Sequence, residues 1–174
     1  MTNPSSYDPI GHTEEAGARQ DAKTTASHDL HLLCYTALYA GDDIDADLAR
    51  IEASARRNNL RDGITGALVY DAGRFIQVIE GPRRCVDRLL VRISNDPRSS
   101  EVRVLFDVPI RERSTARWEL RAGRLDDTPP VPEAELERFR AVYERGFRLD
   151  AAGFVELLLR LLDAPRGSQD GSGR

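Results

Sequence analysis

Thr65-Gly66-Ala67-Leu68-Val69-Tyr70, Asp71-Ala72-Gly73 and Arg74-Phe75-Ile76-Gln77-Val78-Ile79-Glu80 follow one another without a break. Two apolar runs flank a short turn in which Gly73 supplies the positive φ that a tight reversal needs, so the stretch predicts a β-hairpin. Strand side chains alternate, which puts Phe75, Gln77 and Ile79 on one face and Ile76 and Val78 on the other.

Upstream, Ile44, Leu48, Ile51 and Ala55 recur at spacings of three and four. This predicts an amphipathic helix over Ile44–Asn58, with acidic residues at its start and Gly63 as its breaker. Leu30–Thr36 is a short apolar run suited to a buried strand, separated from the helix by the Gly41-Asp42-Asp43 loop. Downstream, Gly81-Pro82 opens a second helix with the stripe Val86, Leu89, Leu90 and Ile93, which stops near Asn95-Asp96-Pro97. Glu101–Val108 reads as a strand, and Trp118–Gly123 as one more. The order β-α-β-β-α-β-β predicts an α+β fold of the ferredoxin-like plan, with two helices on one face of a mixed sheet.

After Thr128-Pro129-Pro130, Glu133–Arg145 presents Leu136, Phe139, Val142 and Tyr143, and Phe154–Leu162 is apolar almost all round. Ile76 and Val78 make the back of the sheet apolar, and an apolar face must be covered. The two C-terminal helices are expected to cover it, and surplus apolar surface on the last one predicts a homo-oligomer. Residues 1–28 read as a disordered N-terminal tail and 164–174 as a flexible tail. The folded part divides into 29–126 and a helical extension, 127–163.

Hydrophobic residues make up 40% of the 174 and charged residues 31%, and the net charge is -4. That balance gives no basic face for nucleic acid. No run is long enough to span a bilayer, and no signal peptide opens the chain, so a cytoplasmic location is expected. Cys34 and Cys85 fall in apolar periodic segments and read as buried free thiols. Two of the three histidines, His12, His28 and His31, lie in or beside the N-terminal tail, so no metal site is expected.

Gln77 is a primary amide among large apolar neighbours, and a buried amide needs partners for two donors and two lone pairs. Backbone groups could satisfy it. Tyr35, at the end of the first strand, reads as half-buried with a hydroxyl in need of a partner. Asn58-Asn59 closes the first helix, where one asparagine would suffice as a cap. On this plan Tyr35, Asn59 and Gln77 converge between the two helices. None is a good acid, base or nucleophile at neutral pH, and no His or Cys accompanies them. Such a site suits a neutral, flat heterocycle and argues against an enzyme; no glycine-rich loop follows the first strand to cradle a phosphate.

Arg57-Asn58-Asn59, Gly63-Ile64-Thr65-Gly66-Ala67-Leu68 and Phe75-Ile76-Gln77-Val78-Ile79-Glu80-Gly81, followed by Arg92-Ile93-Ser94-Asn95-Asp96-Pro97-Arg98, closely resemble the BLUF family of flavin photoreceptors. The spacing of Tyr35, Asn59, Gln77 and Trp118 also fits. The resemblance implies a blue-light sensor that binds FAD, or FMN, non-covalently in 29–126. It implies that Tyr35 donates an electron and a proton after excitation, and that the hydrogen bonds of Gln77 to flavin N5 and O4 then rearrange. Asn59 would bond the ring edge, with Asn58 nearby. Ile51, Phe75 and Ile93 would contact the ring, Arg92 and Asp96 would lie near its edge and the ribityl chain, and Trp118 would change exposure or coupling. Ala37 stands where the family often has serine, Leu120 where it often has methionine and Ser99 where histidine is frequent. Ala37 and Leu120 leave room for a second reading, a flavin-free or light-insensitive interaction module on the same fold. No output domain is read in the remaining residues, so output is expected through an unidentified downstream protein or through self-assembly.

Overall fold

The computed structural model describes residues 29–116, 120–125, 132–146 and 149–163. The elements are β1 (Leu30–Tyr39), α1 (Ile44–Asp62), β2 (Thr65–Asp71), β3 (Arg74–Pro82), α2 (Arg83–Ser94), β4 (Ser99–Pro109), β5 (Arg121–Arg124), α3 (Glu133–Arg145) and α4 (Ala151–Asp163). The sheet order is β4-β1-β3-β2-β5. β1 runs antiparallel to β3 and β4, and β2 runs antiparallel to β3 and parallel to β5. This is the ferredoxin-like α+β plan with a fifth strand added at one edge.

Helix α1 begins where Asp43, in extended backbone, accepts the Ala46 N–H at 3.0 Å. It does not stop at Asn58. It continues to Asp62 because the first residue able to take the left-handed conformation at low cost is Gly63, at φ 63°, whose N–H bonds back to Asn59 and Leu60 carbonyls. Asn58-Asn59 therefore lies inside the helix and is not its terminator. Gly81-Pro82 belongs to β3 rather than to the second helix, because Gly81 and Pro82 still pair with His31 and Leu30 of β1. The fifth strand starts at Arg121, later than expected. Trp118 lies outside the described residues, as do the two tails.

Both faces of the sheet are covered. On one, Leu33, Tyr35, Ala37 and Ile79 pack against α2 through Val86, and Leu68, Phe75 and Leu120 pack against α1 through Leu48. On the other, Leu32, Cys34, Ala67, Val69, Ile76 and Val78 meet Phe139, Val142, Tyr143, Phe154, Leu158 and Leu161 of the C-terminal helices. Each such valine, leucine, isoleucine or phenylalanine side chain contributes about 1.5–3 kcal/mol by leaving water. The rings of Phe139 and Phe154 stack with centroids 5.1 Å apart. A polar latch adds to this layer: the buried Asp71 carboxylate accepts from Arg140 at 2.6 and 2.8 Å and from the Tyr143 hydroxyl at 2.5 Å.

The apolar surplus expected on the last helix is smaller than its sequence suggests, with Leu159 and Leu162 left half-buried. Phe154, Val155, Leu157, Leu158 and Leu161 are all buried within one chain, because the sheet and α3 together enclose more of α4 than one sheet face would. The exposed large apolar residues among those described are Leu60, Val91 and Val104. Cys34 is buried as expected, but Cys85 is only partly so, packed at the margin of the cluster around Val86. No described helix is long and apolar enough to cross a membrane.

Candidate functional site

Tyr35 and Gln77 stand directly opposite each other in the β1–β3 register. Opposed residues of an antiparallel pair put their side chains on the same face, with Cβ atoms about 4.5–5.5 Å apart. The Tyr35 hydroxyl accordingly donates to Gln77 Oε1 at 2.6 Å. Tyr35 is 2% exposed, buried where the sequence suggested half-buried, and Gln77 is 6% exposed. Burial pushes the Tyr35 phenol well above the ordinary tyrosine range, with the neighbouring Cys34 and Asp96 adding to it. The hydroxyl is therefore protonated at neutral pH and serves as a donor.

This pair forms the floor of a pocket between α1 and α2. Ile51, Ser54, Ala55, Asn58 and Asn59 line it from α1, and Leu89, Arg92 and Ile93 from α2. Asp96, Arg98 and Ser99 close one end, and Leu68, Phe75 and Leu120 complete the base. The cavity itself is about 170 Å³ and opens to solvent at its mouth, smaller than the ~300–1,000 Å³ of sites that enclose a whole ligand, so a cofactor-sized molecule would extend out through the mouth. Every cofactor-contact residue expected from the sequence (Tyr35, Ile51, Asn58, Asn59, Phe75, Gln77, Arg92, Ile93 and Asp96) borders this one pocket.

Three of the polar lining residues differ in their surroundings. Asn59 is buried at 3% exposure, on the inner side of α1, while Asn58 sits further out and donates to Ser54 Oγ at 3.2 Å. Arg92, at the mouth, faces Asp62 at 3.6 Å.

Sequence reasoning missed Arg98. Its guanidinium bonds Asp96 at 2.9 and 2.6 Å and reaches Asp47 of α1 at 3.4 Å, and Asp47 also accepts from the Tyr39 hydroxyl at 2.8 Å. The chain Asp96–Arg98–Asp47–Tyr39 ties the exit of α2 to the start of α1 across the pocket end. Hydrogen bonds from Arg98 hold the Asp96 carboxyl below the usual carboxylate range despite its partial burial. The only signal in the sequence was the short Asp96-Pro97-Arg98 spacing; Asp47 had no reason to be linked to it.

The donor set fits a flat heterocycle with polar edges. The Gln77 amide turns its oxygen to Tyr35, which leaves its NH2 as the donor end of a side chain that lines the pocket. A hydrogen-bond acceptor in the pocket would complete it. Ile51, Phe75, Leu89 and Ile93 offer apolar contact for ring faces. No group of His, Cys, Asp and Glu among the described residues is arranged to hold a metal ion.

Residues 30–121 match the family described as sensors of blue-light using FAD. The photoactivated adenylate cyclase subunit beta of Euglena longa is 40% identical over 91 residues, 50% of this chain and 11% of that protein. The subunit beta-like protein FB of Euglena gracilis is 35% identical over the same length, again 11% of that protein. This chain thus spans about a tenth of the curated relatives it matches. Among solved structures, BlrB, a BLUF protein in its dark state, superposes with TM-score 0.58 at 31% identity, covering 78% of this chain and 96% of that one. BlsA in its photo-activated state gives 0.62 at 28%, covering 79% and 97%. With more than half its length in that family and Tyr35 bonded to Gln77 at the pocket floor, the chain belongs to the BLUF family of blue-light sensors, whose cofactor is a flavin.

Proposed function

We propose that residues 29–126 form the flavin-binding sensor unit, that 127–163 form its helical extension, and that light acts by rearranging the hydrogen bond between Tyr35 and Gln77. The observation that carries this reading is the buried 2.6 Å bond at the pocket floor. A bound flavin supplies blue-light absorption and, once excited, an acceptor for one electron. Tyr35 is the readily oxidised side chain at the floor, and the proton of its hydroxyl has Gln77 Oε1 as its acceptor. Gln77 carries an acceptor oxygen on one side of the amide and two donors on the other. Rotation or tautomerisation of that amide exchanges what it presents to Tyr35 and to the pocket. Two bonded arrangements of similar energy are what a light switch requires.

The remaining assignments follow position by position. Asn59, with Asn58 beside it, holds the ring edge; Ile51, Phe75 and Ile93 are its apolar contacts; Arg92 and Asp96 serve the edge and the ribityl chain. Trp118 is assigned on the resemblance alone. The cofactor is taken as FAD, with FMN as its substitute, and the setting as cytoplasmic. Output goes to an unidentified downstream protein or to a homo-oligomer; light scattering on the full chain in dark and light tests the latter.

A light-minus-dark absorption spectrum of the purified chain tests the central reading. The expected result is a yellow protein whose flavin band moves to the red under blue light and returns in darkness. A flavin-loaded protein with no such shift would overturn it, and a colourless one would favour the interaction-module reading.

A further inference from the structure

The two edges of the sheet, β4 and β5, are joined by one connection. Given the order β4-β1-β3-β2-β5, that connection has to pass β1, β3 and β2 before β5 can start. It is pinned on the way by Glu80, whose side chain is 0% exposed. The carboxylate accepts the Ser114 N–H at 3.0 Å, the Thr115 N–H at 2.8 Å and the Thr115 hydroxyl at 2.6 Å. Arg113 reinforces the same point, donating to the Glu80 carbonyl at 2.7 Å, to Thr65 Oγ1 at 2.9 Å and to the Gly63 carbonyl at 2.6 Å.

Glu80 lies on the strand that carries Gln77, three positions on, roughly 10 Å at ~3.3 Å per residue. Thr65, which pairs with Glu80 across β2 and β3, touches Thr115 Oγ1 at 3.0 Å. Only residues 116–119 separate this clasp from Leu120, a wall of the pocket. A carboxylate buried with three donors from one loop is more than a strand end requires. A burial this costly has to be met by bonds of this kind.

We propose that Glu80 is a positioning residue of the photoswitch: through Ser114 and Thr115 it fixes where the connection enters β5, holds Leu120 against the pocket, and so sets the rate at which the dark Tyr35–Gln77 bond re-forms. The proposal rests on the reading of the switch given above. Glutamine at 80 would place an N–H against the Thr115 or Ser114 N–H, donor facing donor. Valine at 115 keeps the volume of threonine and removes one of the three donors. Serine at 115 keeps that donor.

The test uses the full flavin-loaded chain with Glu80→Gln, Thr115→Val and Thr115→Ser. Trp118 is the chain's single tryptophan and lies three residues beyond Thr115, so its emission and acrylamide quenching report the connection in the dark, whether or not the chain responds to light. Expected are altered Trp118 quenching and a dark recovery faster by about fivefold, the rate equivalent of one lost hydrogen bond, in Thr115→Val, with parental behaviour in Thr115→Ser. Glu80→Gln should match Thr115→Val or exceed it; if it does not fold, Thr115→Val and Thr115→Ser decide alone. Unchanged quenching or unchanged recovery in folded, flavin-loaded Thr115→Val overturns the proposal, as does an equal change in Thr115→Ser. A parent that shows no light-induced shift defeats the photoswitch reading instead, and the dark quenching then shows separately whether the clasp exists.

Discussion

Removing both ends of the Tyr35–Gln77 bond should harm stability less than the two single changes added together. In Tyr35→Phe the Gln77 oxygen loses its donor; in Gln77→Leu the Tyr35 hydroxyl, on a residue 2% exposed, loses its acceptor. An unmet buried polar group costs about 1–3 kcal/mol, whereas replacing both partners by apolar groups of similar shape is close to neutral. Gln77 borders the pocket and can find another partner there, so Tyr35→Phe should cost about 1 kcal/mol. Tyr35 lines the same pocket but is the more deeply buried of the two, at 2% against 6% exposure, so Gln77→Leu should cost about 2 kcal/mol. The double variant should then lose only about 1–2 kcal/mol, a coupling of at least ~1 kcal/mol. Urea unfolding in the dark at saturating, fixed flavin measures it, because bound ligand otherwise shifts apparent stability. All three variants should retain flavin and lose the normal red shift. An additive cycle, with coupling below about 0.3 kcal/mol, would refute the claim that this bond is isolated and buried. An unchanged photocycle in either single variant would refute its role as the switch.

Asn59→Ala should weaken flavin retention through gel filtration, since Asn59 is buried on the inner wall of the pocket; equal retention counts against the ring-edge assignment. Arg140→Met leaves the buried Asp71 carboxylate with Tyr143 as its remaining side-chain partner and should cost about 2–3 kcal/mol, less than the ~3–5 kcal/mol of a fully buried pair because Arg140 is itself partly exposed. Denaturant melts within ~0.5 kcal/mol of the parent would show that the latch contributes little. Asp96 has a depressed folded pKa, so its contribution is fully present above the unfolded value of about 3.9 and is lost as pH falls through the lower folded value. Arg98→Met removes the cause, so the carboxyl should titrate at higher pH by NMR and acid release of flavin should begin earlier. Identical acid profiles would exclude Arg98 as the pocket-end tie.

The fold was legible because its elements carry period and punctuation in the local sequence. The hairpin announces itself through alternation and Asp71-Ala72-Gly73, and α1 through its stripe. The errors fall where a tertiary choice overrides a local one. Asn58-Asn59 looks like a stop, yet a helix ends most cheaply at the residue that tolerates positive φ, and that residue is Gly63. Gly81-Pro82 looks like a helix start, yet pairing with β1 keeps it in the strand. The last helix looks over-apolar when counted against a single sheet face; with α3 also packed on it, Phe154, Val155, Leu157, Leu158 and Leu161 are buried within the chain and Leu159 and Leu162 partly so.

The site divides in the same way. Tyr35, Asn59 and Gln77 could be brought together from sequence because each sits at a countable position on an element whose face was known. The ties that hold the pocket in shape could not. Asp47 and Arg98 are 51 residues apart, Glu80 and Thr115 35, and Asp71 and Arg140 69. Each pair joins a charged residue on a regular element to one whose position depends on strand order, and strand order is not written in any local window. A buried carboxylate is also the residue type that composition gives least reason to expect inside. Asp71 and Glu80 read as a turn residue and a strand end, and both are fully buried. Their cost of burial is met only by donors that the finished sheet delivers: Arg140 and Tyr143 across its back, and Ser114 and Thr115 from the connection that must cross it. Of the residues that line the pocket, Tyr35, Asn59 and Gln77 were therefore readable one element at a time and the others through the family resemblance, while those that hold the pocket in shape became readable only once β4 and β5 were known to lie at opposite edges.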